Sequence, residues 1–511
     1  MNKSIYDVVI IGGGPGGVQT AITYYELCKE QNITPNIAIL EASDKAGHSF
    51  TKFPVHGKLI SNNKLYTGKA PESRFSERFD WNSLITNEKK ILMRNYSRHF
   101  YPEREAVVNM LNDLVEAYEL PVHTNTKWTG TSKTEDGLFE VHTSKGVFVT
   151  RYVVVATGLE PVTPDIPGID HVTKYEDMHA KEYYRDKRVL ILGKGNSGTE
   201  CAQDILNEAN VIMLASPSSA RLAFKTHYVG NIRAVNSIIA ENYQLKHQSA
   251  LLDCHIRNIE KVEDGFDVTV EYIHANGEVE TLFFNEVVAA TGFKSSLQSL
   301  VEDFDIKWLH NKFPSISGTF ESTEVEGLYF AGAQTHGLDY RTTTTSGFIH
   351  GFRYNSKILA HHLAEKTGAI DSRSKALTMP VEDYVLEELN ESPDLWLQPG
   401  YVGQLLKLQG DNWISLGYRT KNEFVEMNDE SLLFLTMEYG DIHQFQESFS
   451  IPREPGDPDK SVHIHPVIRV KDDRGIHAFN LEEHLESRFS KDVYLPEIKK
   501  IIMTVEAKQP V

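Results

Sequence analysis

Short apolar runs alternate with amphipathic stretches along this chain, and the alternation starts at once. Tyr6-Asp7-Val8-Val9-Ile10-Ile11 is an apolar run of the length that forms a buried strand. Gly12-Gly13-Gly14-Pro15-Gly16-Gly17 then turns it into a helix across 18–30, where Val18, Ile22, Tyr25 and Leu27 supply an apolar side. Ile37-Ala38-Ile39-Leu40 predicts the next strand. Residues 68–100 are polar and aromatic without a clean period and predict loops and short helices. Val107, Met110, Leu111, Leu114 and Tyr118 recur at helical spacing and predict a helix over 103–120. Strands follow at 127–132, 138–143 and 147–151, with turns at Asp136-Gly137 and Lys145-Gly146. Tyr152-Val153-Val154-Val155 reads as a further buried strand, ending in the small-residue turn Ala156-Thr157-Gly158.

The pattern then returns. Arg188-Val189-Leu190-Ile191-Leu192 leads into Gly193-Lys194-Gly195-Asn196-Ser197-Gly198, a helix over 199–207 and a strand at 211–214. Strands at 267–272 and 278–284 flank the turn Ala275-Asn276-Gly277. The run 286–290 closes on Thr291-Gly292 as the first unit closed on Thr157-Gly158. Such self-similarity predicts one nucleotide-binding unit inserted into another. The outer unit resumes near 296, and 327–332 reads as its last strand. The segment 342–363 begins with four threonines and becomes helical. The expected class is α/β: two Rossmann-like, three-layer ββα domains, the outer from 1–168 and 296–365 and the inner from 169–295. A linker at 366–381 and a small α+β domain at 382–511 complete it, with Asn480 as the cap of a helix through 488.

The glycines have distinct physical roles. Gly12 permits the tight turn, Gly14 lets a pyrophosphate approach the backbone, and Gly17 lets helix and strand pack closely. Pro15 and Gly16 open the helix, whose free N–H groups and partial positive charge suit phosphate. Glu41, with Ala42 beside it, stands where a carboxylate accepts hydrogen bonds from a ribose. Gly47, His48 and Ser49 form a loop expected near the same ligand. In the inner unit Gly193, Gly195, Asn196, Ser197, Gly198 and Glu200 repeat the fingerprint. No acid follows Leu214; the chain offers Ser216 and Arg221 instead, a pattern suited to a 2′-phosphate.

Composition narrows the picture. The 511 residues suggest about three domains. The formal charge of −19 argues against nucleic acid or an anionic membrane as partner. No apolar run reaches the ~20 residues a membrane span needs, and no charged leader with an apolar h-region precedes the first strand, so a cytoplasmic location is the default expectation. The three cysteines, Cys28, Cys201 and Cys254, form no local pair, which excludes a zinc ribbon and a CxxC dithiol. His463-x-His465 would need further ligands, such as His477 or His484, to hold a metal, and no metal is expected.

The second fingerprint, Gly193-Lys194-Gly195-Asn196-Ser197-Gly198-Thr199-Glu200, resembles that of flavin-containing monooxygenase-type proteins of the two-dinucleotide flavoprotein superfamily. Phe53-Pro54-x-His56, Thr226-His227-Tyr228-Val229-Gly230 and Gly347-Phe348-Ile349-His350-Gly351-Phe352-Arg353-Tyr354 resemble the FAD-dependent oxidoreductase domain-containing proteins. This resemblance implies FAD in the first cradle, held by Gly12, Gly14, Pro15, Gly16, Gly17, Glu41, Ala42, Gly47, His48, Ser49, Ala156, Thr157, Gly158, Gly332, Ala333 and Gln334. A helix after Gly332 would direct its N-terminus at the isoalloxazine. NADPH would occupy the second cradle, with Thr291 and Gly292 added to its fingerprint residues, Ser216 and Arg221. Asn62 and Asn63 are the candidates for the asparagine that positions NADP and the oxygen adduct. The implied activity is an NADPH-consuming monooxygenase that moves one oxygen atom from O2, through a flavin-bound peroxide, to a small-molecule nitrogen, sulfur or carbon centre. The family signature Phe-x-Gly-x-x-x-His-x-x-x-Trp/Tyr keeps only His179 and Tyr183 here. That departure keeps open a reductase or dehydrogenase without oxygen insertion. The size of the last domain keeps open a role with a protein partner, and the chain is open to homo-oligomer formation.

Overall fold

The computed structural model describes residues 5–245, 249–297, 305–441, 454 and 456–506. Its first sheet has seven strands, in the order Val122–His123, Ile37–Leu40, Ile5–Ile11, Gly146–Val155, Phe139–Thr143 and Trp128–Lys133, with Leu328–Phe330 also paired to Gly146–Val155. Ile5–Ile11 lies parallel to both neighbours, Ile10 facing Ile39 on one side and Val154 on the other. Central parallel strands are covered on both faces, so Val8, Val9, Ile10 and Ile11 are all buried, as their unbroken apolar run implies.

Gly146–Val155 is one ten-residue strand rather than two. Its first half pairs antiparallel with Phe139–Thr143 and its second half parallel with Ile5–Ile11. Nothing between Thr150 and Tyr152 breaks the extended backbone, so the expected junction at 151 is absent.

The second sheet also has seven strands: Val279–Phe284, Gly265–Tyr272, Ser249–Val262, Val211–Ser216, Arg188–Leu192, Glu286–Ala289 and Thr173–Lys174. Ser249–Val262 was not expected. It pairs parallel with Val211–Ser216 at its start and antiparallel with Gly265–Tyr272 beyond, and a bulge between Ile256 and Asn258 shifts its alternation. A strand that changes partner and slips by one residue has no single period to read.

Two extended segments cross between the units side by side, Leu159–Pro161 pairing antiparallel with Phe293–Ser295. The chain then returns to the first sheet, Leu328 facing Val153. One dinucleotide-binding unit is therefore inserted in the other. The helix Pro15–Glu30 packs on the late helix Ile349–Lys366, which seals the outer unit.

A third, six-stranded antiparallel sheet runs Lys375–Ala376, Asn412–Thr420, Val402–Gln409, Leu432–Glu438, His465–Asp472 and Gly475–Asn480. The helices Val381–Glu391 and Lys491–Glu506 pack together beside it. Asn480 ends a strand instead of capping a helix, and its amide donates to Asp459 at 2.9 Å. The residues after it bury no continuous stripe, Leu485 being 93% exposed. Helix forms only from Lys491, where Tyr494, Ile498, Ile501, Ile502 and Val505 share a buried face. Among the described residues no helix is long and apolar enough to cross a membrane.

Candidate functional site

The first cradle is closed behind and open in front. Gly12 sits at φ +114°, and a Cβ there would lie 2.4 Å from the Ala156 carbonyl oxygen. A Cβ on Gly17 would lie 2.1 Å from the Gly12 oxygen, and one on Gly16 would lie 2.4 Å from Gly332 Cα. Gly14, by contrast, faces open space. It precedes Pro15, the first helical residue, and no side chain caps that helix start. Uncapped N–H groups beside an open approach make an anion site.

Glu41 is drawn to the same turn. Its carboxylate accepts from Gly13 N–H and Ser43 N–H at 2.8 Å each, and from the Ser43 hydroxyl at 2.7 Å. A carboxylate has about four acceptor sites, so it retains capacity for a ribose hydroxyl. Ala42 is exposed at the rim. Gly47 N–H donates to the Gly13 carbonyl at 3.0 Å, bringing in His48 and the short helix Ser49–Lys52.

At the far side, Gly332, Ala333 and Gln334 lie in the 3-10 turn Gly332–Gly337, and the following α-helix starts only at Ile349. The fully buried Gln334 donates to the Gly158 carbonyl at 2.6 Å, and the Ser296 hydroxyl reaches Thr157 Oγ1 at 2.9 Å. Gln334 Oε1 and His48 Nδ1 are buried without a hydrogen-bond partner in the chain. Orphaned polar atoms beside an open glycine loop fit a polar ligand such as FAD.

The second cradle repeats the first at backbone level. Gly193 sits at φ +123° with its missing Cβ 2.1 Å from the Ala290 oxygen, and that of Gly198 would be 2.3 Å from the Gly193 oxygen. Gly195 faces open space, and no side chain caps the helix Asn196–Asp204. Asn196 acts as a loop anchor: its amide donates to Asn231 O at 2.8 Å, and its oxygen accepts from Arg233 N–H at 2.9 Å. Ser197 follows it in the first turn. Thr291 and Gly292 bind the crossing strands, Thr291 Oγ1 donating to Val162 O at 2.5 Å and Gly292 O accepting from Val162 N–H at 2.9 Å.

The charge pattern at the end of the second strand differs from the expectation. Ser216 donates to Ser218 O at 2.9 Å, and the register sets Asp253 opposite it. The carboxylate missing after Leu214 is thus supplied by the strand that escaped sequence reading. Asp253 accepts from the Ser219 hydroxyl at 2.6 Å, pairs with buried Lys194 and lies 3.1 Å from His274. Partial burial raises its pKa, but Lys194 and Ser219 outweigh that and hold it below the usual range. Arg221 is exposed.

Glu200 faces the outer unit. Its carboxylate lies 3.0 Å from His56 Nε2 and 3.3 Å from the Tyr175 hydroxyl. Around it Phe53 stacks on Tyr175 at 5.7 Å and meets Phe293 edge-on at 5.6 Å. A 490 Å³ cleft opens alongside, lined by His56, Lys58, Phe100, Tyr101, Glu200 and Asn236 among others. Burial lowers the His56 pKa, but pairing with Glu200 more than offsets it and raises the imidazole above its ordinary 6.5. A raised folded pKa gives stability that is complete below about pH 6.5 and disappears as pH rises through the folded value. Melting temperature followed across that interval should fall in the native chain, and Glu200→Gln should flatten the fall. An unchanged slope in the variant would remove this pair as its cause.

Asn62 and Asn63 hold the irregular segment that follows them. Asn63 is buried, and its amide donates to Ser97 O and His99 O at 3.0 and 3.2 Å. The Asn62 carbonyl accepts from Trp81 N–H and the Asn82 amide, both at 3.0 Å. Sequence reading missed what that segment delivers. Trp81 stacks on His350 with centroids 4.3 Å apart, and the Arg233 guanidinium from the inner unit lies 5.4 Å from the Trp81 ring. His350 is fully buried with neither ring nitrogen hydrogen-bonded, and burial depresses its pKa well below the ordinary value. The only signal was a tryptophan in a stretch without period.

The three cysteines are buried free thiols. Burial pushes Cys28 and Cys254 up to about 11, and Cys201 is raised as well. None is a ready thiolate. Among the described residues no cluster of His, Cys, Asp and Glu could hold a metal ion.

Paired cradles in nested units define a two-dinucleotide-binding flavoprotein. The family model for pyridine nucleotide-disulphide oxidoreductases matches residues 9–332, and the chain belongs to that family. It is similar to FAD-dependent oxidoreductase domain-containing protein 2 of Mus musculus, 31% identical over 418 residues. The match takes in 76% of this chain and 61% of the mouse protein, so the chain spans about three fifths of that relative. Among solved structures it resembles a bacillithiol disulfide reductase from Staphylococcus aureus, with TM-score 0.54, 21% identity, and 71% of this chain and 99% of that one covered. It also resembles a flavin-containing monooxygenase from Stenotrophomonas maltophilia, with TM-score 0.51, 18% identity, and 70% and 98% covered. These two share the fold. The family is one of pyridine-nucleotide oxidoreductases.

Proposed function

We propose that the protein is an NADPH-consuming, FAD-dependent monooxygenase that places one oxygen atom of O2 on a small-molecule centre. The observation that carries this reading is that Cys28, Cys201 and Cys254, in a chain with both cradles, are buried free thiols and none is paired or activated. These thiols would offer a bound cofactor no dithiol partner, which leaves a small molecule as the acceptor. FAD supplies the redox chemistry when bound. The chain's own residues divide the remaining work. The open face at Gly14 and the carboxylate of Glu41 bind one dinucleotide, and the open face at Gly195 binds the other. The packing of Phe53, Tyr175 and Phe293 gives the junction of the units an apolar wall.

NADPH is the proposed donor. Lys194 and His274 engage Asp253, and exposed Arg221 is available to a 2′-phosphate. Arg221→Ala should raise KM for NADPH by about tenfold, the equivalent of one charge-assisted hydrogen bond at roughly 1.4 kcal/mol. KM for NADH should stay the same. An equal change for both donors would remove Arg221 from the recognition of that phosphate.

The deciding experiment follows NADPH consumption, O2 uptake and product mass with candidate amines and sulfides. One oxygenated product per NADPH supports the proposal, and stoichiometric hydrogen peroxide with every substrate overturns it. The second reading, a reductase without oxygen insertion, draws on one observation. Tyr183, which matches the monooxygenase signature, is 43% exposed and bonded to Glu286 at 2.7 Å. Substrate turnover without O2 would establish that alternative.

A further inference from the structure

Beyond the two cradles, the junction between the units contains a hydrogen-bonded chain of three side chains, two of them buried. Tyr228, on a loop of the inner unit, lies with its hydroxyl 3.2 Å from His336 Nε2. His336 Nδ1 lies 2.9 Å from Asp339 Oδ1. His336 belongs to the Gly332–Gly337 turn whose first glycine is packed against Gly16 of the first cradle. The chain therefore ends where the two dinucleotide units meet.

Its polarity follows from the surroundings of Asp339. That carboxylate is 2% exposed, and Oδ2 accepts from the hydroxyls of Thr344 and Ser346 at 2.5 Å each. These contacts explain part of the threonine run at 342–345. With Oδ2 taken up by the two hydroxyls, Oδ1 is the oxygen left to face the imidazole. An acceptor oxygen at Nδ1 favours the tautomer with its proton there, and that tautomer presents the Nε2 lone pair to the Tyr228 hydroxyl. Phe313 and Tyr340 meet the imidazole edge-on at 5.4 Å each, and Gly347 closes its remaining side. The other titratable groups near this box include Tyr340, Arg341, Lys312 and His310, gathered around the Tyr340 ring, and the buried Tyr401 phenol on the Asp339 side. Burial pushes the Tyr228 phenol up, so it holds its proton until a base takes it. The logic is that of a nucleophile–histidine–carboxylate triad with a half-buried phenol at the outer end.

We propose that Tyr228, His336 and Asp339 form a proton relay that deprotonates the substrate, and that the substrate is a nitrogen or sulfur nucleophile arriving in its protonated form. This rests on the proposed oxygen transfer, which needs a free lone pair on the accepting atom. In the step, the N–H or S–H bond of the substrate breaks and its proton passes to the Tyr228 oxygen. The Tyr228 proton passes to His336 Nε2, and the electron pair of the broken bond stays on nitrogen or sulfur. The resulting imidazolium faces the Asp339 carboxylate, and once product has left, it returns a proton to the Tyr228 oxygen while the half-buried phenol releases its own proton to solvent, which restores the relay. Tyr228 is the catalytic residue, while His336 and Asp339 act through it.

The test has two arms on the full-length chain. In the first, the histidine ring nitrogens are labelled and read by NMR, with His336→Gln assigning the signal. The expected native state is the neutral Nδ1–H tautomer, converted in Asp339→Asn. A native Nε2–H tautomer overturns the relay. In the second, kcat/KM of the flavin-loaded enzyme is followed against pH. Tyr228→Phe should lower it by about 10² to 10⁴-fold, with bound flavin retained, and His336→Gln should abolish one limb of the profile. A profile unchanged in both variants also overturns the proposal. If the native enzyme yields only hydrogen peroxide, the oxygen-transfer reading fails separately, because the tautomer and its response to Asp339→Asn are read without turnover.

Discussion

Gly17→Ala should yield protein without bound flavin, whereas Gly198→Ala should yield yellow protein that NADPH cannot reduce. Both changes add one carbon against backbone that cannot retreat. The new Cβ would lie 2.1 Å from Gly12 O in the first case and 2.3 Å from Gly193 O in the second. A flexible side chain could swing aside from such an approach, but a carbonyl within the strand-to-helix turn cannot. Relief requires the helix to move off the strand, at a cost of about 1–3 kcal/mol for an overpacked methyl or more for rigid backbone. That movement displaces the uncapped helix start, so the phosphate site is lost even where the fold survives. Absorbance of the bound flavin, its reduction by NADPH and by dithionite, and circular dichroism separate the outcomes. Gly198→Ala protein that is reduced by NADPH at the native rate would refute the assignment of the second cradle. Gly17→Ala protein that folds and retains stoichiometric FAD would refute the first.

The contrast between those glycines and the rest of the site explains what could be read beforehand. A fingerprint turn is local: strand, glycines and helix are contiguous, and each glycine is required by an atom a few residues away or on the adjacent strand. The nesting of the units was legible for the same reason, because each closing strand carries the same Ala-Thr-Gly ending at 156–158 and 290–292. Asp253 was not legible, because it becomes a neighbour of Ser216 only through the register of a strand that changes partner. The Trp81–His350 stack joins residues 269 positions apart, and nothing in either neighbourhood announces the other. Tyr228 and His336 stood in plain view as residue types, yet their pairing depends on how the two units dock. The threonine run was visible, but its purpose appears only once Asp339 is seen beneath it.

Gln398→Leu should be among the most destabilising single substitutions in the chain and should disturb the site from the third sheet's side. Gln398 follows the short helix Pro393–Leu397 and is fully buried against the outer unit. Its oxygen accepts from Thr345 N–H at 3.1 Å. Its amide donates to Ser346 Oγ at 2.9 Å, Gly351 O at 3.1 Å and Asn355 Oδ1 at 2.7 Å. Leucine fits the volume but satisfies none of these groups. An orphaned buried donor or acceptor costs about 1–3 kcal/mol, so two or three of them amount to roughly 3 kcal/mol or more. Gln398→Glu restores the acceptor but removes the donors and buries a charge, so it should do no better. The consequence extends beyond stability. Ser346 accepts from Gln398 and donates to Asp339, which orients His336 beneath Tyr228. The last domain thus contributes a fixed hydrogen-bond donor to the junction of the two cradles. Chemical denaturation should show the loss of stability, and the histidine NMR signal of His336 should shift in the same variant. A stability within about 0.5 kcal/mol of the native value, the range of an ordinary surface change, would show that this buried amide is not what fastens the third sheet to the flavoprotein core.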